Sequence, residues 1–359
     1  VIAVTGTNGK TTTRQMIVSI MGKRFRVLTP RANYNNLVGL PLTLLNLESS
    51  HQAAVLEMGM NCPGEISRLT EIADPDLALI TNVGPAHLEG VGSLEGVARA
   101  KGELFEGLKP GATAIINTDD PLVARLAERL HVQGISFGFN RKASVRALGL
   151  RHRGLKGVSF KLKTPSGNAK IDLSLFGKHN ASNALAAAAV ATALNIDPAG
   201  IRDALAEISP FPGRLELKKL PGPVYLLDDT YNANPASTRA ALNVLMKLKS
   251  RGRAVAVLGD MLELGDKSNL EHARIGQAAA RLAVDFLVGI GPLTKIMLQS
   301  SIKYGLAKKQ TIWFGDPEDG ARWVSGHIQI HDRVLVKGSR GMRMERAVHY
   351  LTERNQESG

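Results

Sequence analysis

The sequence predicts an α/β protein with a P-loop, parallel-sheet ATPase domain carrying a small antiparallel extension, followed by a Rossmann-like α/β C-terminal domain. Short apolar runs alternate with longer helical patterns, which is typical of βαβ units. The glycine-rich stretch VTGTNGKTTT (4–13) directly follows the first apolar run. The Pro/Gly-rich stretch SPFPGRLE (209–216) interrupts the alternation, which then restarts. We therefore expect an ATP-binding domain over 1–213 and a second domain over 214–359.

Each element follows from a local pattern of apolar residues. In the first domain, strands are expected near 1–4, 53–56, 77–81, 112–116 and 134–137, with helices near 11–21, 63–72, 94–107 and 120–130. Turn-separated apolar runs over 143–175 predict the antiparallel extension, and helices are expected over 180–195 and 198–208. In the second domain, the expected strands are VYLLDD, RAVAVLG, VDFLVGI, TIWFG and RVLVKGS.

Composition narrows the class of protein and its partners. The content of 44% hydrophobic residues and the mean hydropathy of −0.04 are typical of a globular protein. It has no apolar run of membrane-spanning length, so no membrane insertion is expected. The single cysteine, Cys62, excludes an internal disulfide and fits the cytoplasm. The net charge of +13 favours acidic partners, and the scarcity of aromatic residues favours small anions over nucleic acid. We predict a cytoplasmic monomer.

The glycine-rich stretch has the spacing of a phosphate-binding loop. Backbone N–H groups of such a loop surround phosphate oxygens at a helix N-terminus. Lys10 would neutralise the β- and γ-phosphates, and the Thr11 hydroxyl would reach Mg²⁺. A glycine-rich turn that only caps a helix is the alternative. The predicted nucleotide-binding residues here are Gly6, Thr7, Asn8, Gly9, Lys10, Thr11 and Thr12.

Two polar residues follow neighbouring apolar runs and are candidate metal ligands. Glu57 ends the run AAVLE, where a P-loop protein needs a carboxylate for its metal ion. His87 lies in the loop NVGPAHLEG after the next buried run. Ligands of open α/β sheets gather at the carboxyl ends of strands, which favours both positions. An ordinary surface glutamate and an inert loop histidine are the alternatives.

Lys101 is expected on the apolar face of a helix. Its neighbours three and four positions away are Val97, Ala98, Leu104 and Phe105. A buried amine has a lowered pKa and can react with CO₂ to give a carbamate, an anion able to hold a second Mg²⁺. The alternative is a surface lysine whose stem lies along the edge of the apolar face.

Together these stretches resemble the Mur ligases, the ATP-dependent amide-forming enzymes of peptidoglycan synthesis. The matching stretches include GTNGKTTT, NYNNLVGLPLTLL, LEMGM, NVGPAHLEG, AKGELF, GKHNASNALAAAA, PGRLE, DDTYNANPAS, LGDMLELG and VKGSRGM. Within the family, AKGELF, DDTYNANP, GDMLELG and VKGSR are most similar to the ligases that add D-alanyl-D-alanine to UDP-N-acetylmuramoyl-tripeptide. The alternatives are another Mur-type or folylpolyglutamate-type ligase, or a nucleotide-binding fragment without ligase turnover.

The resemblance implies an acyl-phosphate mechanism and two Mg²⁺ ions. The tripeptide carboxylate would attack the γ-phosphate of ATP, and the amine of D-Ala-D-Ala would then attack the activated carbonyl. One Mg²⁺ would bind Thr11 and Glu57, and the second His87 and carbamylated Lys101. The implied catalytic residues are Lys10, His87, Lys101 and Arg214.

The resemblance also implies further ligand contacts. Asn180 and Asn183 would contact adenine, Arg214 the γ-phosphate, and Asp229 with Tyr231 beside it the ribose. Asn180 as a simple helix N-cap is the alternative. The implied substrate contacts are Asn33, Asn35 and Asn36 toward the uridylated substrate, and Lys337, Ser339 and Arg340 toward an anionic or dipeptide ligand. The family's N-terminal UDP-binding domain has no counterpart in this sequence, and the third tripeptide residue, lysine or diaminopimelate, stays open.

Overall fold

The chain folds into two compact units, Val1–Ser209 and Pro210–Gly359. The structure is a computed structural model that describes residues 1–31, 33–86 and 88–353, with Leu88 and Glu89 described by their backbone alone. The division lies at the start of the Pro/Gly-rich stretch. No helix in the described part of the chain is both long and apolar enough to cross a bilayer.

The first unit is built on one mixed sheet. Its strands are β1 (Ile2–Thr5), β2 (Val27–Leu28), β3 (Ala53–Glu57), β4 (Leu77–Ile80), β5 (Thr113–Asn117), β6 (Gly134–Gly138), β7 (Val145–His152), β8 (Val158–Thr164) and β9 (Gly167–Leu173). Its helices are α1 (Lys10–Met21), α2 (Gly39–Leu44), α3 (Glu65–Ala73), α4 (Leu88–Val91), α5 (Leu94–Glu106), α6 (Pro121–Arg129), α7 (Gly177–Ala193) and α8 (Pro198–Ala206). A 3₁₀ turn lies at Gly154–Lys156.

Within the described residues this sheet has nine strands in the order β2-β3-β1-β4-β5-β6-β7-β8-β9. Neighbours from β2 to β7 run parallel, and β7, β8 and β9 pair antiparallel. Strands β1 and β4 are buried along their whole length, because helices cover both faces of a parallel sheet. The parallel strands therefore bring the carboxyl ends of β1, β3 and β4 to one edge.

The second unit has its own sheet and core. Its strands are β10 (Glu216–Lys219), β11 (Tyr225–Asp229), β12 (Ala254–Gly259), β13 (Phe286–Ile290), β14 (Thr311–Phe314) and β15 (Arg333–Lys337). Its helices are α9 (Pro235–Leu248), α10 (Ser268–Arg281), α11 (Thr294–Lys303), α12 (Pro317–His327) and α13 (Glu345–Glu353), with 3₁₀ turns at Gly265–Lys267, Lys308–Gln310 and Arg340–Met342. The described strands are ordered β10-β11-β15-β12-β13-β14, and all neighbours are parallel except β10 with β11.

The predicted fold class is confirmed: a parallel-rich sheet with antiparallel strands is followed by a second α/β sheet. Four short elements, β2, α2, α4 and β10, were not expected from the sequence. The helix expected from residue 180 begins earlier, at Gly177, with Phe176 as its N-cap. Asn180 therefore lies in the first turn of α7, and the alternative that it is the N-cap is wrong.

Candidate functional site

The glycine-rich loop turns sharply from β1 into α1. At two of its glycines, neighbouring side chains occupy the place that a Cβ would take. Gly9 has the left-handed φ of 81° and is the N-cap of α1, and Gly6 has φ 144°. A Cβ on Gly6 would lie 1.9 Å from Thr81 Oγ1, and one on Gly9 would lie 2.3 Å from Asn183 Oδ1. The loop backbone is thus packed directly against side chains, and no larger residue fits at either position.

The segment after β4 fixes the shape of this loop by reciprocal hydrogen bonds. Asn82 Oδ1 accepts from the Asn8 N–H at 3.0 Å, and Asn82 Nδ2 donates to the Asn8 carbonyl at 2.9 Å. Thr81 Oγ1 donates to the same carbonyl at 2.7 Å. Thr7 is held in the same way, since its hydroxyl accepts from the Gly84 N–H at 2.9 Å. The Asn8 N–H, expected in the phosphate cradle, is therefore engaged by Asn82 in this structure.

Asn82 and Thr81 are site residues that the sequence analysis missed. Both stand just after the carboxyl end of β4, where a threonine or an asparagine gives no distinctive signal in the sequence. Their partner strand β5 adds a further brace, because Asn117 Nδ2 donates to the Thr81 carbonyl at 2.6 Å. The loop is consequently supported from two strands of the sheet.

Two lysines lie beside the loop. Lys10 arches back over the loop, and its Nζ donates to the Gly6 carbonyl at 2.9 Å. Lys101 lies on α5 and is only 1% exposed. Burial, and then the nearby charge of Lys10, hold the pKa of the Lys101 amine well below its ordinary value. The Lys101 side chain thus lies on the buried face of its helix, and both effects oppose the charged form of its amine.

Glu57 ends β3 beside the loop and is 3% exposed. Its Oε1 accepts from Asn35 Nδ2 at 2.9 Å, and the Arg14 Nε lies 3.8 Å from its Oε2. Among the described residues, no group hydrogen-bonds to Glu57 Oε2. A buried carboxylate oxygen that accepts no hydrogen bond is suited to bind a hard cation such as Mg²⁺. Arg14, a buried residue of α1, was not singled out from the sequence.

The two asparagines of α7 form a connected pair. Asn180 Nδ2 donates to the Phe176 carbonyl at 2.9 Å, and its Oδ1 accepts from Asn183 Nδ2 at 3.1 Å. Both side chains are buried. Because Asn183 Oδ1 faces Gly9, the structure brings this pair to the loop.

The other asparagines named from the sequence lie before α2. Asn36 Oδ1 accepts from the Val38 and Gly39 N–H groups at 3.2 and 2.8 Å, so Asn36 holds the start of this helix. Asn33 is exposed, and its carbonyl accepts from the Asn35 N–H at 2.7 Å. Of these residues, Asn35 is the one that hydrogen-bonds to Glu57.

The residues named in the second unit also meet, at the carboxyl ends of β11 and β15. The Arg214 guanidinium lies over the Tyr231 ring, 3.9 Å from its centroid, and the Arg340 guanidinium lies 6.0 Å from the same centroid. The Tyr231 N–H donates to the Gly213 carbonyl at 3.0 Å, which folds the PGRLE stretch onto this corner. The corner combines an aromatic face with cations and is suited to an anionic ligand.

A buried ion pair anchors the same corner. Lys337 Nζ donates to Asp229 Oδ2 at 2.6 Å and to the Asn232 carbonyl at 2.8 Å. Burial raises the pKa of the Asp229 carboxyl above its ordinary value, although the Lys337 charge opposes this. Ser339 is 4% exposed, and its hydroxyl accepts from the Leu262 N–H and donates to the Ala233 carbonyl. Lys337 and Ser339 thus have partners within their own unit.

One named residue, His87, lies outside the described residues. In the part of the chain that is described, no three His, Cys, Asp or Glu side chains converge as a ready-made metal site. The first unit therefore presents a braced loop, two lysines and a buried carboxylate at one edge of its sheet. The arrangement can bind a polyphosphate and a divalent cation.

Sequence profiles of two domains match the chain. The Mur ligase middle domain matches residues 4–191, and the Mur ligase, glutamate ligase domain matches residues 213–340. This chain belongs to the Mur ligase family. A Mur ligase relative from Bacillus subtilis (strain 168), named UDP-N-acetylmuramoyl-tripeptide–D-alanyl-D-alanine ligase, is 34% identical over 98% of this chain and 76% of its own length.

Solved Mur ligase structures have the same fold. MurF from Acinetobacter baumannii superposes with a TM-score of 0.89 at 36% identity, covering 98% of this chain and 76% of that one. MurF ligase from Thermotoga maritima in complex with ADP gives a TM-score of 0.88 at 28% identity, covering 100% of this chain and 80% of that one. This chain therefore spans about three quarters of the length of these Mur ligases.

Proposed function

We propose that this chain is an ATP-dependent ligase of peptidoglycan precursor synthesis that joins D-alanyl-D-alanine to UDP-N-acetylmuramoyl-tripeptide. The observation that carries the proposal is the braced loop at the start of α1, with the buried Glu57 carboxylate at the end of the adjacent strand. The chain that contains this loop belongs to the Mur ligase family. The relatives' names supply the substrates, and the loop supplies the means of using ATP.

The reaction must bring two anions together. A tripeptide carboxylate oxygen attacks the γ-phosphorus of ATP, and the bond to the ADP oxygen breaks. The amine of D-Ala-D-Ala then attacks the carbonyl carbon of the acyl phosphate, and phosphate leaves. The residues of this chain reduce the repulsion between the anions: the Lys10 ammonium and the N-terminal N–H groups of α1 attract the triphosphate. Holding both reactants at one sheet edge lowers the entropic part of the barrier.

Mg²⁺ would be held by the Thr11 hydroxyl and the Glu57 carboxylate. When bound, the ion neutralises phosphate charge during the transfer. Glu57 Oε2 accepts no hydrogen bond from the described residues, which supports this assignment, and Asn35 keeps the carboxylate oriented through its Oε1. Arg14, whose Nε lies 3.8 Å from Glu57 Oε2, forms a buried ion pair with the carboxylate.

Lys101 is proposed to act as a carbamate. Its neutral amine nitrogen would attack the carbon of CO₂, form an N–C bond and release a proton to solvent. The product carries a negative charge beside Lys10, where two positive lysines would otherwise repel each other. Together with His87, the Lys101 carbamate would bind a second Mg²⁺. The nucleotide roles of Asn180, Arg214, Asp229 and Tyr231 stay predictions, as do those of the other substrate residues.

The test is a product assay. The chain is mixed with ATP, Mg²⁺, UDP-N-acetylmuramoyl-tripeptide and D-Ala-D-Ala, and ADP release and the mass of the uridylated product are followed. We expect ADP and a product heavier by the dipeptide, with no product from glutamate or a single alanine. Lys10→Ala should abolish both signals while circular dichroism stays unchanged. ADP release that needs a different acceptor, or nucleotide binding without turnover, would overturn the proposal.

A further inference from the structure

We propose that the outward face of the antiparallel extension binds the surface of a membrane rich in anionic lipids. This basic face consists of the outward side chains Arg146, Leu148, Arg151, Lys161, Lys163 and Lys170 on β7, β8 and β9. The proposal concerns adsorption to a lipid surface and is independent of the ligase reaction.

The extension accounts for most of the net positive charge of the chain. Residues 141–172 contain nine Lys and Arg against one acid, Asp172, which gives +8 of the total +13. Among the described residues, Asp172 is the acid that pairs with these cations, with Arg153 at 3.0 Å and Lys170 at 3.3 Å. The rest of the positive charge in this segment has no acidic side chain within ion-pair distance in the described structure.

Strand pairing places these cations directly opposite one another. Arg146 pairs with Lys163, and Lys161 pairs with Lys170. Like charges at opposed positions destabilise an antiparallel pair, and the cost is relieved when an anionic surface lies against them. The pattern is therefore typical of a surface that meets negative charge.

The alternation of the strands fixes which side the cations occupy. In β8, Phe160 and Leu162 are buried, whereas Lys161 and Lys163 are exposed. The buried side packs toward α7, and β9 packs on α8, so the charged side cannot turn inward. The extension thus presents its cations on one side of the sheet, where they can face a bilayer surface together.

The form of the face favours a lipid surface over nucleic acid. Leu148 is 40% exposed and stands directly opposite Lys161, so an apolar side chain projects from the middle of the charged layer. Single-stranded nucleic acid is bound by aromatic stacking, and none of the six residues of the basic face is aromatic. Duplex DNA is commonly read by a helix or ribbon in a groove, whereas this face is the broad side of a sheet.

Adsorption through the basic face leaves the loop accessible. Strand β8 is five positions from β1 in the sheet, roughly 24 Å at about 4.8 Å per strand. The loop directly follows β1, and Glu57 lies on β3, one strand further from β8. Ligase turnover in solution should therefore be unaffected by changes to the basic face.

The test is co-sedimentation of the chain with vesicles of phosphatidylglycerol and phosphatidylcholine, beside vesicles of phosphatidylcholine alone. We expect binding to the anionic vesicles only, decreasing as salt is raised. The triple variant Lys161→Gln, Lys163→Gln, Lys170→Gln should weaken partitioning by on the order of 100-fold, about fivefold for each lysine.

The matched control removes three exposed lysines elsewhere: Lys303→Gln, Lys308→Gln, Lys309→Gln. It lowers the net charge equally and should retain anionic-vesicle binding. Equal loss in both variants would overturn the proposal, because net charge alone would then explain binding. Failure of wild type to bind anionic vesicles would also overturn it, as would complete displacement from them by an equal charge of duplex or single-stranded DNA.

Discussion

The Asn183 amide oxygen stands 2.3 Å from the point that a Cβ on Gly9 would occupy. This close approach joins α7 to the loop between β1 and α1. Two segments separated by more than 170 residues in sequence thus form one surface, and the Asn183 side chain is itself held by Asn180. Any side chain at position 9 must displace the Asn183 amide.

The first prediction is that Gly9→Ala loses nucleotide binding. The new Cβ must push the Asn183 amide away, so we expect affinity for ATP to fall at least 10-fold while the fold is retained. Gly64→Ala is the control, since Gly64 is also a left-handed helix N-cap, with φ 87°, but open space surrounds its Cβ position. Backbone strain of about 1 kcal/mol is then common to both variants. Calorimetric titration with ATP separates the two effects, and equal losses in both would contradict the steric explanation.

The second prediction concerns Glu57→Gln. The amide oxygen can still accept from Asn35, but the negative charge beside the loop is lost, so a bound cation is held less strongly. We expect the Mg²⁺ concentration for half-maximal activity to rise at least 10-fold, on the scale of metal-site changes. Glu103→Gln is the control, because Glu103 is another carboxylate held by hydrogen bonds, in its case from the Gly64 and Ser67 N–H groups. An unchanged Mg²⁺ dependence of Glu57→Gln would exclude this carboxylate as a ligand.

The third prediction is that Lys101→Met stabilises the protein at neutral pH. Below the lowered folded-state pKa of Lys101, the amine is protonated in both states, and burial of its charge costs stability in full. As pH rises through that pKa toward 10.5, the folded state releases its proton first, and the cost disappears.

The midpoint of thermal unfolding, measured in CO₂-depleted buffer, should therefore be a few degrees higher in Lys101→Met, at about 2–4 °C per kcal/mol. The difference should vanish in alkaline buffer. Arg99→Met, an exposed change on the same helix, should show no such pH-dependent gain. A gain that does not depend on pH would mean that packing, not charge, is responsible.

The fourth prediction tests the carbamate directly. With ¹³C-labelled bicarbonate, wild type should show a carbamate resonance that is absent from Lys101→Ala and present in Lys109→Ala. Because the carbamate supplies a carboxylate, acetate or formate should restore part of the activity of Lys101→Ala. Full activity of Lys101→Ala without additives, together with no resonance in wild type, would refute the carbamylation.

The fifth prediction concerns the ion pair of the second unit. Asp229→Asn leaves the buried Lys337 ammonium without its counter-charge, so we expect a loss of about 3 kcal/mol in the free energy of unfolding. The double variant Asp229→Asn, Lys337→Met should recover most of this loss, since the unpaired charge is gone. Denaturant unfolding of the single and double variants measures the coupling. Additive losses would show that the two side chains do not stabilise one another.

The sequence predicted the larger elements because their apolar periodicity is set by burial on a sheet. It missed the short elements β2, α2, α4 and β10, and for β2 and α2 the reason lies in their own residues. Strand β2 has two residues and cannot show an alternation. Helix α2 has only six residues, contains Pro41 and leaves Leu42 exposed, so it lacks an amphipathic pattern.

Site residues could be predicted from the sequence where the residue type and its local position together leave few possible roles. Glycine at a tight loop, lysine on an apolar helix face and a carboxylate at a strand end each left a local signal. The brace formed by Asn82 did not, because an asparagine after a strand has many ordinary uses. Its pairing with Asn8 depends on β1 lying next to β4, which no local pattern reveals.

The brace from Asn82 to both the N–H and the carbonyl of Asn8 means that the loop is shaped before any ligand arrives. The conformational entropy of these residues is lost once, when the chain folds, and not again in each turnover. Nucleotide should therefore meet a rigid receptor, and its association rate should be governed by diffusion and charge more than by rearrangement of the loop.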